Sequence, residues 1–172
     1  MLRRLGASEE DMLVIQTNLA CTYYRLGRLA EALPMYRDAY SGRLKLHGKE
    51  HGETLLVASN YAATLAELQR FEETMSLLRK MMPVAPRVLG ESDTVTLKLR
   101  LLYGRVLCED TTATLDDLRE AVATLEDAGR TARRVLGGAH PLTTGIEIFL
   151  QNARTALRAR ETPQPSSPSE SV

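Results

Sequence analysis

Residues 47–61 read HGKEHGETLLVASNY, and residues 89–103 read LGESDTVTLKLRLLY. Laid over one another at an offset of 42, Gly48 falls on Gly90, Thr54-Leu55 on Thr96-Leu97, and Tyr61 on Tyr103. The same offset carries Asn18 to Asn60. The glycine mark also recurs outward, at Leu5-Gly6 and, 47 residues after Gly90, at Leu136-Gly137. A fixed period in this range signals stacked supersecondary units, none of which can bury its apolar face alone.

Each unit reads as two helices. Met12, Leu13, Ile15, Leu19, Ala20, Tyr23 and Leu26 recur at helical spacing until Gly27, which stops the helix. A second helix is expected over Leu29–Leu46, with Ala32, Tyr36 and Ala39 on one face, ended by Gly48. The next unit gives a helix over Glu53–Leu68, a turn at Gln69-Arg70-Phe71, and a helix from Glu72. The third gives helices over Thr94–Cys108 and Thr114–Leu136. Its five extra residues, Glu109 to Ala113, read as a lengthened turn. A last helix follows over Pro141–Arg160, with proline in the first turn, where it is tolerated. Two places oppose this pattern. Pro34 should cost its helix a bond or bend its start, and Pro83 with Pro86 should break the fourth helix near Met82, to resume over Val84–Leu89. Repeats are thus expected at about 5–47, 48–89 and 90–136, with a cap at 137–160 inside one domain, 1–160. The Ser/Pro-rich stretch 161–172 should be a disordered tail.

Composition narrows the function. Lysine plus arginine and aspartate plus glutamate number 22 each, so no net field draws nucleic acid or an anionic membrane. Aromatics make up 5% and tryptophan is absent, so the core must be rich in Leu, Ala and Val. Cys21 and Cys108 form no paired framework and read as buried free thiols. With no apolar run of membrane-spanning length and no signal core, a soluble cytoplasmic protein is expected.

The first unit reads Asn18-Leu19-Ala20, Tyr23, Gly27, Glu31-Ala32-Leu33-Pro34-Met35-Tyr36 and Ala39. The closing motif appears as Gly48-x-x-His51-Gly52-x-Thr54, as Leu89-Gly90-x-x-Asp93-x-x-Thr96, and most fully as Leu136-Gly137-x-x-His140-Pro141-x-Thr143. Over about residues 5–157 the chain resembles tetratricopeptide repeats of the variety found in kinesin light chains. The second unit departs at Thr74 and Met81, and the third replaces Asn-Leu-Ala by Leu102-Tyr103-Gly104. No long heptad region accompanies the repeats, so the likeness is to the cargo-reading part alone. The resemblance implies an all-α, right-handed superhelical solenoid of helical hairpins, about three repeats plus a C-terminal capping helix. It also implies that proline is at home in the slot of Pro34.

Candidate binding residues follow a stripe on each first helix, opposite the small residues of the hairpin contact (Ala20, Ala62 and Gly104 in one slot, Ala32 and Ala121 in another). The stripe comprises Val14, Asn18, Cys21 and Arg25; Leu56, Asn60, Ala63 and Glu67; Lys98, Leu102, Arg105 and Glu109; and Gly145, Phe149, Asn152 and Ala156. By resemblance it lines the inside of the superhelix, where Asn18 and Asn60 match amides that bond the backbone of an extended peptide. An amide offers both donor and acceptor for that task. The alternative is that these amides bond neighbouring helices. Arg25, Lys98 and Arg105 could set the register of a charged ligand, or be compensated by Glu67 and Glu109 on a solvated face. The groove candidates are therefore Asn18, Arg25, Asn60, Lys98, Arg105 and Asn152, with Leu56, Leu102 and Phe149 as apolar anchors.

His47-Gly48-Lys49-Glu50-His51 matches a zinc-peptidase pattern, but that pattern needs an unbroken helix and Gly48 is a stop. His51 and His140 read as loop-stabilising. With no phosphate-cradling loop, nucleophile elbow or metal spacing, neither an enzyme, nor a metal, nor a cofactor is expected. The expected function is protein or peptide binding in the groove, of micromolar strength (~−8 kcal/mol). Two alternatives are self-association into a weak homo-oligomer through Ile146, Phe149 and Leu150, and a regulatory arm of a larger signalling enzyme, since the pattern begins abruptly at Leu5-Gly6.

Overall fold

The computed structural model describes residues 8–161. Leu5-Gly6 and all of the expected tail except Glu161 lie outside them. Eight helices and no strand are found among the described residues: α1 (Glu9–Arg25), α2 (Leu29–His47), α3 (Gly52–Glu67), α4 (Phe71–Met81), α5 (Ala85–Leu89), α6 (Thr94–Glu109), α7 (Leu115–Leu136) and α8 (Pro141–Glu161). Helix α1 packs on α2, α3 on α4 and α6 on α7. Each pair also leans on the next, and α8 closes over α6 and α7.

The period has a backbone cause. Gly48, Gly90 and Gly137 cap α2, α5 and α7 at φ/ψ of 78°/177°, 96°/158° and 85°/160°. That corner of conformational space is essentially closed to a residue with a Cβ. The chain reverses there, and a side chain then starts the next helix: His51, Asp93 and His140 accept the backbone N–H of Glu53, Val95 and Leu142 at 3.3, 2.7 and 3.1 Å. The two histidines thus act as helix caps. The turn inside each hairpin shows the same economy. Gly27 and Gln69, 42 residues apart, are both left-handed, at φ 72° and 56°. The third unit replaces this turn with its longer one, after which Thr114 and Asp117 form a capping box on α7.

The two proline expectations part company. Pro83 and Pro86 do divide the fourth helix, into α4 and α5. Pro34 does not interrupt α2. Its missing N–H frees the carbonyl of Ala30, but both residues are exposed, so water can satisfy that oxygen. Glu161, expected as the first residue of the tail, is instead the last residue of α8 and pairs with Arg119 at 3.1 Å.

Hairpin closure depends on small residues. Ala20, Ala32, Ala39, Ala62, Ala121 and Ala128 have no exposed surface. A Cβ on Gly104 would stand 2.5 Å from Leu125 Cγ, so α6 and α7 approach more closely than alanine permits. The main core runs from α3 to α8, whereas the α1–α2 end rests on a small cluster of Ala20, Ala32, Tyr36, Ala39 and Val57.

Ala20→Leu should overpack the first hairpin and lower stability by about 1–3 kcal/mol in urea titration. Substitutions at the two left-handed turn types should have opposite signs. Gly90→Ala should cost about 1–3 kcal/mol, and Gln69→Gly should gain about 1 kcal/mol by removing left-handed strain.

Candidate functional site

The stripe residues of α3 and α6 meet in a hollow of about 250 Å³, lined by Tyr24, Tyr36, Ser59, Asn60, Ala63, Lys98, Leu101 and Leu102. It brings Asn60 and Lys98 together. Asn18, Arg25 and Asn152 lie outside its lining, exposed on α1 and α8. The side-chain amides of Asn18, Asn60 and Asn152 bond to no neighbouring helix among the described residues. Where the first two take part in hydrogen bonds, they do so through their backbone carbonyls, which accept the hydroxyls of Thr22 and Thr64.

The cations divide. Arg105 sits between two carboxylates, with Glu67 at 2.5 Å and Glu109 at 2.8 Å, and its guanidinium lies 5.5 Å from the Phe149 ring centre. Burial disfavours its charge, but the hydrogen bonds to Glu67 and Glu109 outweigh this and hold it charged well beyond the usual range. Its charge is therefore already answered. Lys98 and Arg25 are exposed and make no salt bridge among the described residues. Two hydroxyls in the hollow hold their protons tightly. Burial raises the phenol of Tyr24, with Glu67 adding to it, and burial together with Cys21 raises that of Tyr36. At neutral pH both offer O–H donors.

Three features escaped the reading of the sequence. Tyr24 lines the hollow although it lies beside the stripe, one residue before Arg25; its aromatic type next to Arg25 was the available signal. Leu101 was missed in the same way, one residue before Leu102. Arg43 is buried between Glu10 (3.4 Å) and Glu53 (3.8 Å), with its Nε unpartnered. The repeat places Arg43 on Ala85 and Ala132, so nothing in the register announced a charge there.

His47 and His51 stack with ring centres 4.3 Å apart across the Gly48 break, and His47 Nε2 lies 3.6 Å from Glu10. They belong to successive helices rather than to one face. Cys21 and Cys108 are free but half-buried, not fully buried as expected. The expected self-association seam on α8 is covered: Ile146 lies in the core, and Phe149 and Leu150 pack against it, because α8 turns that face onto α6 and α7.

Residues 11–87 match the model of the tetratricopeptide repeat family. Solved structures share the fold. The nearly identical TPR-like repeats assigned to a Podosopora anserina kinesin light chain superpose with a TM-score of 0.69 at 21% identity, over 90% of this chain and 72% of that one. A point variant of those repeats gives 0.71 at 21%, over 90% and 71%. BtubC (BKLC) from P. vanneervenii gives 0.56 at 16%, over 96% and 70%. No curated protein matches the sequence at a significant level. Residues 11–87 thus match tetratricopeptide repeats, and the fold of the chain is that of the kinesin-light-chain-type TPR-like repeats. Such repeats as a class mediate protein–protein interaction and are typically non-enzymatic scaffolds. No helix among the described residues is long and apolar enough to cross a membrane.

Burial, with the nearby Glu109 carboxylate, pushes the Cys108 thiol up to about 11. The thiolate is the reactive form. In Cys21→Ser protein, alkylation of Cys108 should be slow at neutral pH and keep accelerating until the pH nears 11; a plateau near the ordinary thiol value of about 8.5 would contradict this.

Proposed function

We propose that this chain docks an extended segment of a partner protein against α3 and α6, with Asn60 bonding the segment's backbone and Lys98 answering a carboxylate on it. What supports the reading is the hollow itself. Its floor is apolar, formed by Ala63, Leu101 and Leu102, and its rim carries an uncommitted amide and an uncommitted cation. That combination suits a ligand held by one side chain and read along its backbone. Asn18 on α1 and Asn152 on α8 extend the track to either side, and Arg25 adds a second free charge. Arg105 plays a different part. Locked to Glu67 and Glu109, it joins α6 to α3 and helps to hold the hollow's shape.

A displayed library of random peptides, selected on the immobilised chain, supplies the probe. A selected peptide should bind with micromolar affinity by calorimetry. Asn60→Ala and Lys98→Ala should each weaken it by about 1–2 kcal/mol, a factor of roughly 5–30. Arg105→Ala should lower the melting temperature more than the affinity. Peptides that bind both hollow variants as well as the wild type would refute the assignment.

A further inference from the structure

Helix α1 carries the same face that α3 and α6 bury. Ile15, Leu19 and Thr22 stand one repeat before Val57, Tyr61 and Thr64, and two before Leu99, Tyr103 and Val106. In the later units that face lies under the preceding hairpin, and Val57, Thr64, Leu99, Tyr103 and Val106 are all buried. On α1 no hairpin precedes it among the described residues, and Ile15, Leu19 and Leu26 are 44%, 44% and 65% exposed. The other end of the array differs. The outer face of α8 offers Thr144, Gln151, Thr155 and Arg158, a polar finish broken only by Ile148. Terminal repeats need such a polar outer face, and among the described residues α8 has it and α1 does not.

Two properties of α1 say what fits its open face. With Met12, the stripe runs 12, 15, 19, 22, 26, alternating steps of three and four, which is the seam spacing of paired helices. The charges flanking it are opposite at its two ends: Glu9, Glu10 and Asp11 in the first turn, Arg25 in the last. We propose that a second copy of this chain covers the face, α1 against α1, antiparallel about a two-fold axis at Leu19. The contact is then isologous. Leu19 meets its own counterpart, Met12 meets Leu26 of the second copy, and Asp11 comes near Arg25 of the second copy. A parallel pairing would instead set acidic turn against acidic turn. A single pair of 17-residue helices lies below the roughly 1,200 Å² of standard interfaces, so the dimer is weak.

Sedimentation velocity on the full chain, from about 1 μM to about 1 mM, tests this. The average mass should climb from 19.1 kDa toward twice that value. Leu19→Lys should remain monomeric over the same range while keeping the wild-type thermal melt, since residue 19 is exposed. Cysteine trapping tests the orientation. In a Cys21→Ser, Cys108→Ser background, Leu19→Cys should oxidise to a disulfide-linked dimer, because only positions on the axis bring two identical Cα atoms within about 4.4–6.8 Å. Leu26→Cys should cross-link only when mixed with Met12→Cys. Three results would overturn the proposal: a wild type of monomer mass throughout, a Leu19→Lys variant that dimerises as well as the wild type, or self-linking of Leu26→Cys in preference to Leu19→Cys.

Discussion

A helical hairpin has two apolar faces, and closing the hairpin covers only one of them. Everything else in this molecule follows from that surplus. Within a hairpin, Ala20, Ala62 and Gly104 let the helices approach until side chains such as Leu125 fill the gap. Between hairpins, Val57 and Leu99 need the preceding unit to leave water. Because the driving force is removal of apolar surface, the array can stop only where a helix turns a polar side outward. Helix α8 does so, and α1 does not.

Much of the fold was legible because its punctuation is steric. The glycines at 48, 90 and 137 occupy backbone geometry closed to other residues, so they mark the reversals directly, and the helix ends fall within a residue or two of them. The division of the fourth helix was legible for a similar reason, since Pro83 and Pro86 withhold donors wherever they sit. Pro34 shows the limit of that logic. The same missing donor does no harm on an exposed turn, and exposure is a tertiary fact. Gln69 shows another limit: the left-handed turn does not require glycine if the surrounding packing holds it in place.

The candidate site was only half legible, for electrostatic reasons. Helical spacing puts Lys98, Leu102, Arg105 and Glu109 on one face, and the sequence offers Glu67 and Glu109 to either cation. Glu109 stands one turn from Arg105 on α6, but only the stacking of α3 beside α6 gives Glu67 to Arg105 as well and leaves Lys98 unanswered. The Arg105–Glu67 pairing spans 38 residues and no local pattern encodes it. The buried Arg43 was hidden in the same way, since its slot in the other units holds alanine.

The long turn before α7 has an effect beyond its length. Ala113 is buried, and its carbonyl accepts a hydrogen bond from Arg160, near the end of α8. Three ion pairs, Arg133–Glu147, Arg154–Glu126 and Arg119–Glu161, also stitch α7 to α8. The opposite terminus has no comparable fastening: among the described residues, the one ion pair from α1 to α2 that involves an arginine is the loose contact of Glu10 with Arg43. In a nearest-neighbour array such an imbalance sets a direction. Warmed or pulled, the described ribbon would peel from α1 and α2 first, while the five residues inserted before α7 keep α7 and α8 clasped.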